Sequence, residues 1–220
     1  MLKLLSALVA TLLFASSLCA EELFCLNAIE KGDQGARPVR CRVGETDPLN
    51  LKNNTDINSV MELFGLDPTT IVFKGCEGLG FHTYGTADSS GAKYLISYSS
   101  EANEKAIAAV IHELGHVVQL NYYGGYASLL KRYPSIRIEL GADYLAGIAY
   151  KLVLNEKDLK GFEQNIELAG SYMPSSINDE HGNPSKRNQA FRLGVFDESN
   201  SQSAAKLHQN FQDNRYARIQ

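Results

Sequence analysis

The sequence predicts an α+β fold: a small antiparallel sheet followed by a mostly helical domain. Three observations carry this. The short runs that read as strands, such as LFCL, VRCRV and TTIVFK, all lie before residue 99. A Gly- and Ser-rich stretch, GTADSSGA, separates two of those runs as the turn of a hairpin would. From residue 100 onward the apolar residues recur at helical spacing. Strands first and helices afterwards is the α+β order.

Taken in order, residues 1–20 (MLKLLSALVATLLFASSLCA) open with Lys3, continue as an apolar run and end in small residues. That is the layout of a secretory signal, too short in its apolar part to span a bilayer comfortably. The expected localisation is therefore secreted or periplasmic, with residues 21–220 as one domain and no integral membrane segment after signal removal. A lipoprotein reading at Cys19 is disfavoured by the bulky Leu18 before it. Residues 23–26 and 39–43 read as short strands, and 44–58, rich in Asn, Asp and Thr, as a loop. Together 21–75 forms the N-terminal strand and loop part. Ser59-Val-Met-Glu62 resembles a capping box that opens a short helix. Thr69–Lys74 reads as a strand, and Leu79–Tyr84 with Lys93–Tyr98 as the hairpin.

Ser100 is placed to cap a helix running to about Tyr122, which Gly124-Gly125 ends. Pro134 and Ser135 precede a second helix over about Ile136–Leu154. Asn155 is placed to cap a third, reaching about Ala169. Asn183-Pro184 reads as a cap followed by proline at the first helical position, opening a helix through Leu193. A final amphipathic segment covers about Gln202–Asp213.

Composition excludes some partners. The chain has 220 residues, 44% of them apolar, with 25 Asp+Glu against 21 Lys+Arg. Loss of residues 1–20 removes Lys3 and no acid, leaving 20 basic against 25 acidic side chains and a net of -5. With no basic stripe, nucleic acid is not an expected partner. Three cysteines remain, Cys25, Cys41 and Cys76. In an oxidising compartment one pair can form. Cys25–Cys41 is the preferred pair because it ties two strand-like stretches; three buried thiols are the alternative.

Residues 112–116 read His-Glu-Leu-Gly-His, in the middle of the first long helix. At 100° per residue, His116 lies one turn from His112 and about 40° around the helix, so both imidazoles can reach one metal ion. Glu113 projects beside that ion, where a carboxylate can take a proton from water. Zn2+ suits such a set: it takes imidazole and carboxylate ligands and makes hydroxide available near neutral pH. A third ligand is offered downstream. Glu139 and Asp143 are i, i+4 on the next long helix. Glu139 can complete a His2Glu set, and Asp143 can accept the other ring N–H of a ligand histidine. The small residues Ala142, Ala146 and Gly147 let the two helices approach closely. A bland reading is a buried helix with two histidines and a second helix with a solvated acidic face.

HELGH followed by a helix carrying E-x-x-A-D resembles the glutamate-zincin metallopeptidases. The finer resemblance is to bacterial neutral zinc metallopeptidases, carried by HELGHVVQ (112–119), ELGADYLAG (139–147) and HGNPSKR (181–187) in that order, over roughly residues 94–195. It implies a zincin-like domain with His112, His116 and Glu139 as zinc ligands. Glu113 is then the general base and later proton donor, and Asp143 supports a ligand histidine. It further implies hydrolysis of a peptide or protein substrate by a zinc-activated water. His181, heading the third motif, is the candidate to stabilise the oxyanion; the alternative is a surface histidine capping the Pro184 helix. Arg187 is placed to pair with Glu139, Asp143 or a substrate carboxylate, or to be solvated. In this group an edge strand pairs with substrate backbone, a role Tyr94–Tyr98 is placed to play. His82 and His208 show no partner pattern and read as structural or surface. Two further readings stand beside the peptidase: an exported module that binds a peptide or envelope partner without turnover, and another zinc-dependent amide hydrolase. Oligomeric state is not readable from the sequence.

Overall fold

The computed structural model describes residues 47–76, 81–85, 93–103, 106–155, 157–171, 183–198 and 202–219. The expected signal, the strands at 23–26 and 39–43, Cys25, Cys41 and His181 lie outside them, as does the side chain of His82. Cys76 is disulfide-bonded, to a partner outside the described residues.

The α+β class holds. Helix α1 (Thr55–Phe64) comes first. It begins inside the stretch read as a loop, because Asn54, one of the residues that suggested a loop, is its cap: the Asn54 side chain accepts from the Ile57 N–H at 3.1 Å. Ile57, Val60, Met61 and Phe64 then recur at helical spacing and are all buried. Ser59 therefore sits inside the helix rather than at its start.

Among the described residues three strands follow: β1 (Ile71–Cys76), β2 (Phe81–Gly85) and β3 (Tyr94–Ser99), in the order β1-β3-β2. The β2–β3 pair is antiparallel, with Thr83 opposite Ile96, as the hairpin reading expects. The β1–β3 pair is parallel, with Phe73 opposite Ile96. The sheet is thus mixed rather than antiparallel. Tyr94–Tyr98 is also corrected: β3 is the central strand, with both edges occupied, so it cannot accept another strand. β2 has no partner on its other edge among the described residues.

The rest is helical. α2 (Ile107–Tyr123) starts later than Ser100 and ends where Gly124 takes the left-handed conformation at φ 75°. A short α3 (Tyr126–Leu130), not anticipated, precedes α4 (Ser135–Val153). α5 (Leu159–Ser171) begins past Asn155, and the Asp158 carboxylate accepts from the Lys160 N–H. α6 (Pro184–Val195) has the expected cap: Asn183 accepts from the Lys186 N–H at 2.9 Å. α7 (Ala204–Asn210) continues into a π turn at Phe211–Arg215. No helix among the described residues is long and apolar enough to cross a membrane.

α2 and α4 run through the centre, and α1, the sheet, α5, α6 and α7 pack around them in one core that includes Ile57, Ile96, Ile111, Tyr144, Phe191 and Phe211. Two glycines set the α4–α6 crossing. A Cβ on Gly147 would sit 2.0 Å from the Phe191 carbonyl oxygen, and one on Gly194 would sit 2.0 Å from that of Tyr144. The helices meet backbone to backbone, and no side chain can move aside to make room. Gly194→Ala is expected to destabilise by about 1–3 kcal/mol, because overpacking here outweighs the roughly 1 kcal/mol gained in helix propensity. Urea unfolding measures this; a variant as stable as wild type would mean the helices separate freely. The sequence reading placed Gly147 at the α2–α4 contact. There it is Gly115 that meets Ala142, with an added Cβ 3.1 Å from the Ala142 backbone.

Candidate metal centre

α2 presents His112 and His116 one turn apart, with ring centroids 4.6 Å apart and nearly perpendicular planes. α4 faces them with Glu139. His112 Nε2 lies 3.4 Å from Glu139 Oε2, and His116 Nε2 lies 3.5 Å from Glu139 Oε1. The three groups offer ligand atoms that all fall within 4.8 Å of one another, and all three residues are buried. The contact is local in origin: i, i+4 spacing aligns each pair on its own helix, and Gly115 against Ala142 brings the helices together.

The other ring nitrogens are already engaged. His112 Nδ1 lies 2.8 Å from Asp143 Oδ1, and His116 Nδ1 lies 2.8 Å from Gln119 Oε1. With acceptors at both Nδ1 atoms, the protons of the neutral rings sit on Nδ1 and both Nε2 atoms face Glu139, with Arg187 Nη2 also 3.4 Å from His112 Nε2. His116 Nε2 is buried and has no hydrogen-bond partner among the described residues. Two imidazole nitrogens and a carboxylate, all desolvated, are a donor set that fits zinc.

Asp143 is held from a second side. Arg187 of α6 donates to it twice, Nε to Oδ2 at 2.9 Å and Nη2 to Oδ1 at 2.8 Å. This resolves the open reading of Arg187: it is buried, and its ion-pair partner is Asp143. Burial pushes the Asp143 carboxyl up, but the Arg187 guanidinium and the His112 ring together hold it below the usual carboxylate range. Burial, and after it the Arg187 guanidinium, pull the His112 pKa down, but the charge and hydrogen bond of Asp143 together with the hydrogen bond to Glu139 carry the ring up to about 9.

Glu113 is 1% exposed. The Thr83 hydroxyl, on β2, lies 2.6 Å from Glu113 Oε2 and 3.1 Å from the Glu113 backbone oxygen. Oε1 of Glu113 has no hydrogen-bond partner among the described residues. One carboxylate oxygen is anchored and the other is not. Thr83 was not singled out in the sequence, and no local signal marks it, since only the fold of β2 onto α2 brings it there.

For His208, read in the sequence as structural or surface, the structural alternative holds, and what the sequence did not reveal is its contact with Gln119. His208 is 1% exposed. Burial pulls its pKa down to about 3, and the neighbouring His116 adds to the effect. The unfolded ring titrates near 6.5, so His208 contributes stability above about pH 6.5 that is lost as pH falls toward 3. Metal-stripped wild type is expected to lose up to about 1.4 kcal/mol per pH unit more than His208→Gln between pH 6 and 4. Urea midpoints across that range test this, and equal slopes for the two proteins would refute it.

No protein-family model matches the chain, and neither does any curated protein or solved structure.

Proposed function

We propose that the protein is a zinc-dependent peptidase that hydrolyses peptide bonds with a glutamate general base, as the resemblance to the glutamate-zincins implies. The observation that carries the reading is the buried His112, His116 and Glu139 set, with the Glu113 carboxylate anchored beside it on the same helix. His112, His116 and Glu139 would hold the ion. When bound, zinc supplies a Lewis acid that polarises a carbonyl and lowers the pKa of water.

The chain's own residues do the rest. Glu113 takes a proton from the attacking water at its carboxylate and delivers it to the leaving amine nitrogen. Thr83 keeps that carboxylate oriented during both transfers. Asp143 and Gln119 hold the two imidazoles by their Nδ1–H groups, so that the Nε2 atoms stay aimed at one point. The edge of β2 that has no partner among the described residues, one residue of which touches Glu113, takes the place of Tyr94–Tyr98 as the edge along which an extended substrate would pair. The substrate would then be a peptide or an unfolded segment of protein. His181 stays the candidate for oxyanion stabilisation from its motif alone.

The test is metal content coupled to activity. Purified protein is expected to carry one zinc per chain and to cleave a denatured protein substrate. A strong chelator should abolish cleavage and added zinc restore it. Protein that carries no zinc and takes none up, or cleavage indifferent to the chelator, would sink the proposal.

A further inference from the structure

Helix α7 meets the candidate metal centre through Gln119, the residue that holds His116. His208 on α7 and Gln212 in the π turn that follows are four residues apart and share a face. Both are buried, at 1% and 2% exposure. They reach α4 because Gly141 stands opposite: a Cβ there would sit 2.5 Å from His208 Nε2 and 2.9 Å from Gln212 Nε2.

The hydrogen bonds leave little freedom. Gln119 accepts from His116 at Oε1. Its amide nitrogen has two protons and two acceptors, the Ile138 carbonyl at 2.7 Å and His208 Nε2 at 2.9 Å. A flipped amide would set Oε1 against the Ile138 carbonyl oxygen, so the orientation is forced. Gln212 repeats the pattern. Its amide nitrogen donates to the Arg137 carbonyl at 2.7 Å and faces His208 Nε2 at 3.0 Å. His208 Nε2 therefore faces two amide donors and is an acceptor. The chain of contacts runs from His208 through Gln119 to His116; the one lone pair of His208 Nε2 is shared between the two amides, and Gln212 Oε1 has no hydrogen-bond partner among the described residues.

We propose that His208 and Gln212 are positioning residues of the metal centre, which fix His116 by locking the Gln119 amide. The proposal rests on the zinc reading above. Removing the acceptor at His208 strands a buried N–H of Gln119 and frees the amide to pivot, which loosens the ring that Gln119 holds. The C-terminal segment is then part of the metal site, although it supplies no ligand.

The experiment is a double-mutant cycle on zinc affinity, measured by chelator competition on folded protein, with cobalt absorption spectra as a second readout. Gln119→Leu is expected to weaken zinc by about 10–100-fold and His208→Leu by about tenfold. His208→Gln places an amide oxygen where Nε2 was and should bind zinc with the affinity of wild type. The double variant Gln119→Leu/His208→Leu should bind no more weakly than Gln119→Leu alone, because His208 has then lost the residue it acts through. Cobalt-loaded His208→Leu should show an altered visible spectrum and His208→Gln a wild-type one. Tyr144→Phe, which loses a buried hydrogen bond to Asp197, controls for stability: it should lower Tm and leave zinc affinity unchanged. If His208→Leu does not fold, Gln212→Leu carries the test, with an expected loss of about threefold. Additive losses, or His208→Leu or Gln212→Leu binding zinc like wild type, would overturn the proposal while leaving the peptidase reading intact. A wild-type protein that binds no zinc would overturn both.

Discussion

Replacing Glu113 with glutamine is expected to lower peptide hydrolysis by about 10²–10⁴-fold while leaving zinc stoichiometric, since general-base catalysis contributes on that scale. The substitution is nearly isosteric, and Glu113 supplies no ligand atom to the His112, His116 and Glu139 group. The amide can still meet the Thr83 hydroxyl, so the helix and its histidines need not shift. What is lost is the capacity to take a proton. Initial rates on a denatured protein, together with metal analysis of the same preparation, separate the two effects. Wild-type rates in this variant would remove Glu113 from the mechanism. Zinc lost along with activity would instead make it a residue that holds the site together.

Arg187→Met should destabilise the protein by about 3–5 kcal/mol, the range for breaking a buried ion pair from one side. Arg187 is 2% exposed and Asp143 0%, so water cannot replace the two lost hydrogen bonds. His112 alone would remain to balance the carboxylate. The pair joins α6 to α4 as well as supporting His112, so both Tm and zinc affinity should fall. Much of the stability is expected to return in Arg187→Met/Asp143→Asn, where the uncompensated charge has been removed. Urea unfolding of both variants decides the matter. A loss below about 1 kcal/mol for Arg187→Met would place the pair on the scale of exposed ion pairs, contrary to its burial.

Some of this was legible from local spacing. His112 and His116 share a helix face, and so do Glu139 and Asp143, because a 3.6-residue period requires it whatever surrounds the helix. The caps at Asn183 and the stop at Gly124 follow in the same way from single residues and their neighbours. Asn54 shows where that logic slipped. Asn serves both loops and helix starts, and only the burial of Ile57 and Val60 tells the two apart. Strand direction slipped for a related reason. Alternation along β1 is the same whether its neighbour runs parallel or antiparallel, and the parallel β1–β3 pairing depends on the route the chain takes between them.

By itself, then, the sequence determined the α+β class, the two helices that carry the candidate ligands, and which side chains on each helix point the same way. These are short-range consequences of backbone geometry. Asp143 was offered by the sequence as a support for a ligand histidine; which more distant residues meet these groups was decided by the tertiary structure. Thr83 is 30 residues from Glu113, Arg187 is 44 from Asp143, and His208 is 89 from Gln119. No periodicity spans such separations. These contacts exist because buried polar groups must find partners once the helices close, and the partners they find depend on where Gly115, Gly141, Gly147 and Gly194 let one element lie against the next.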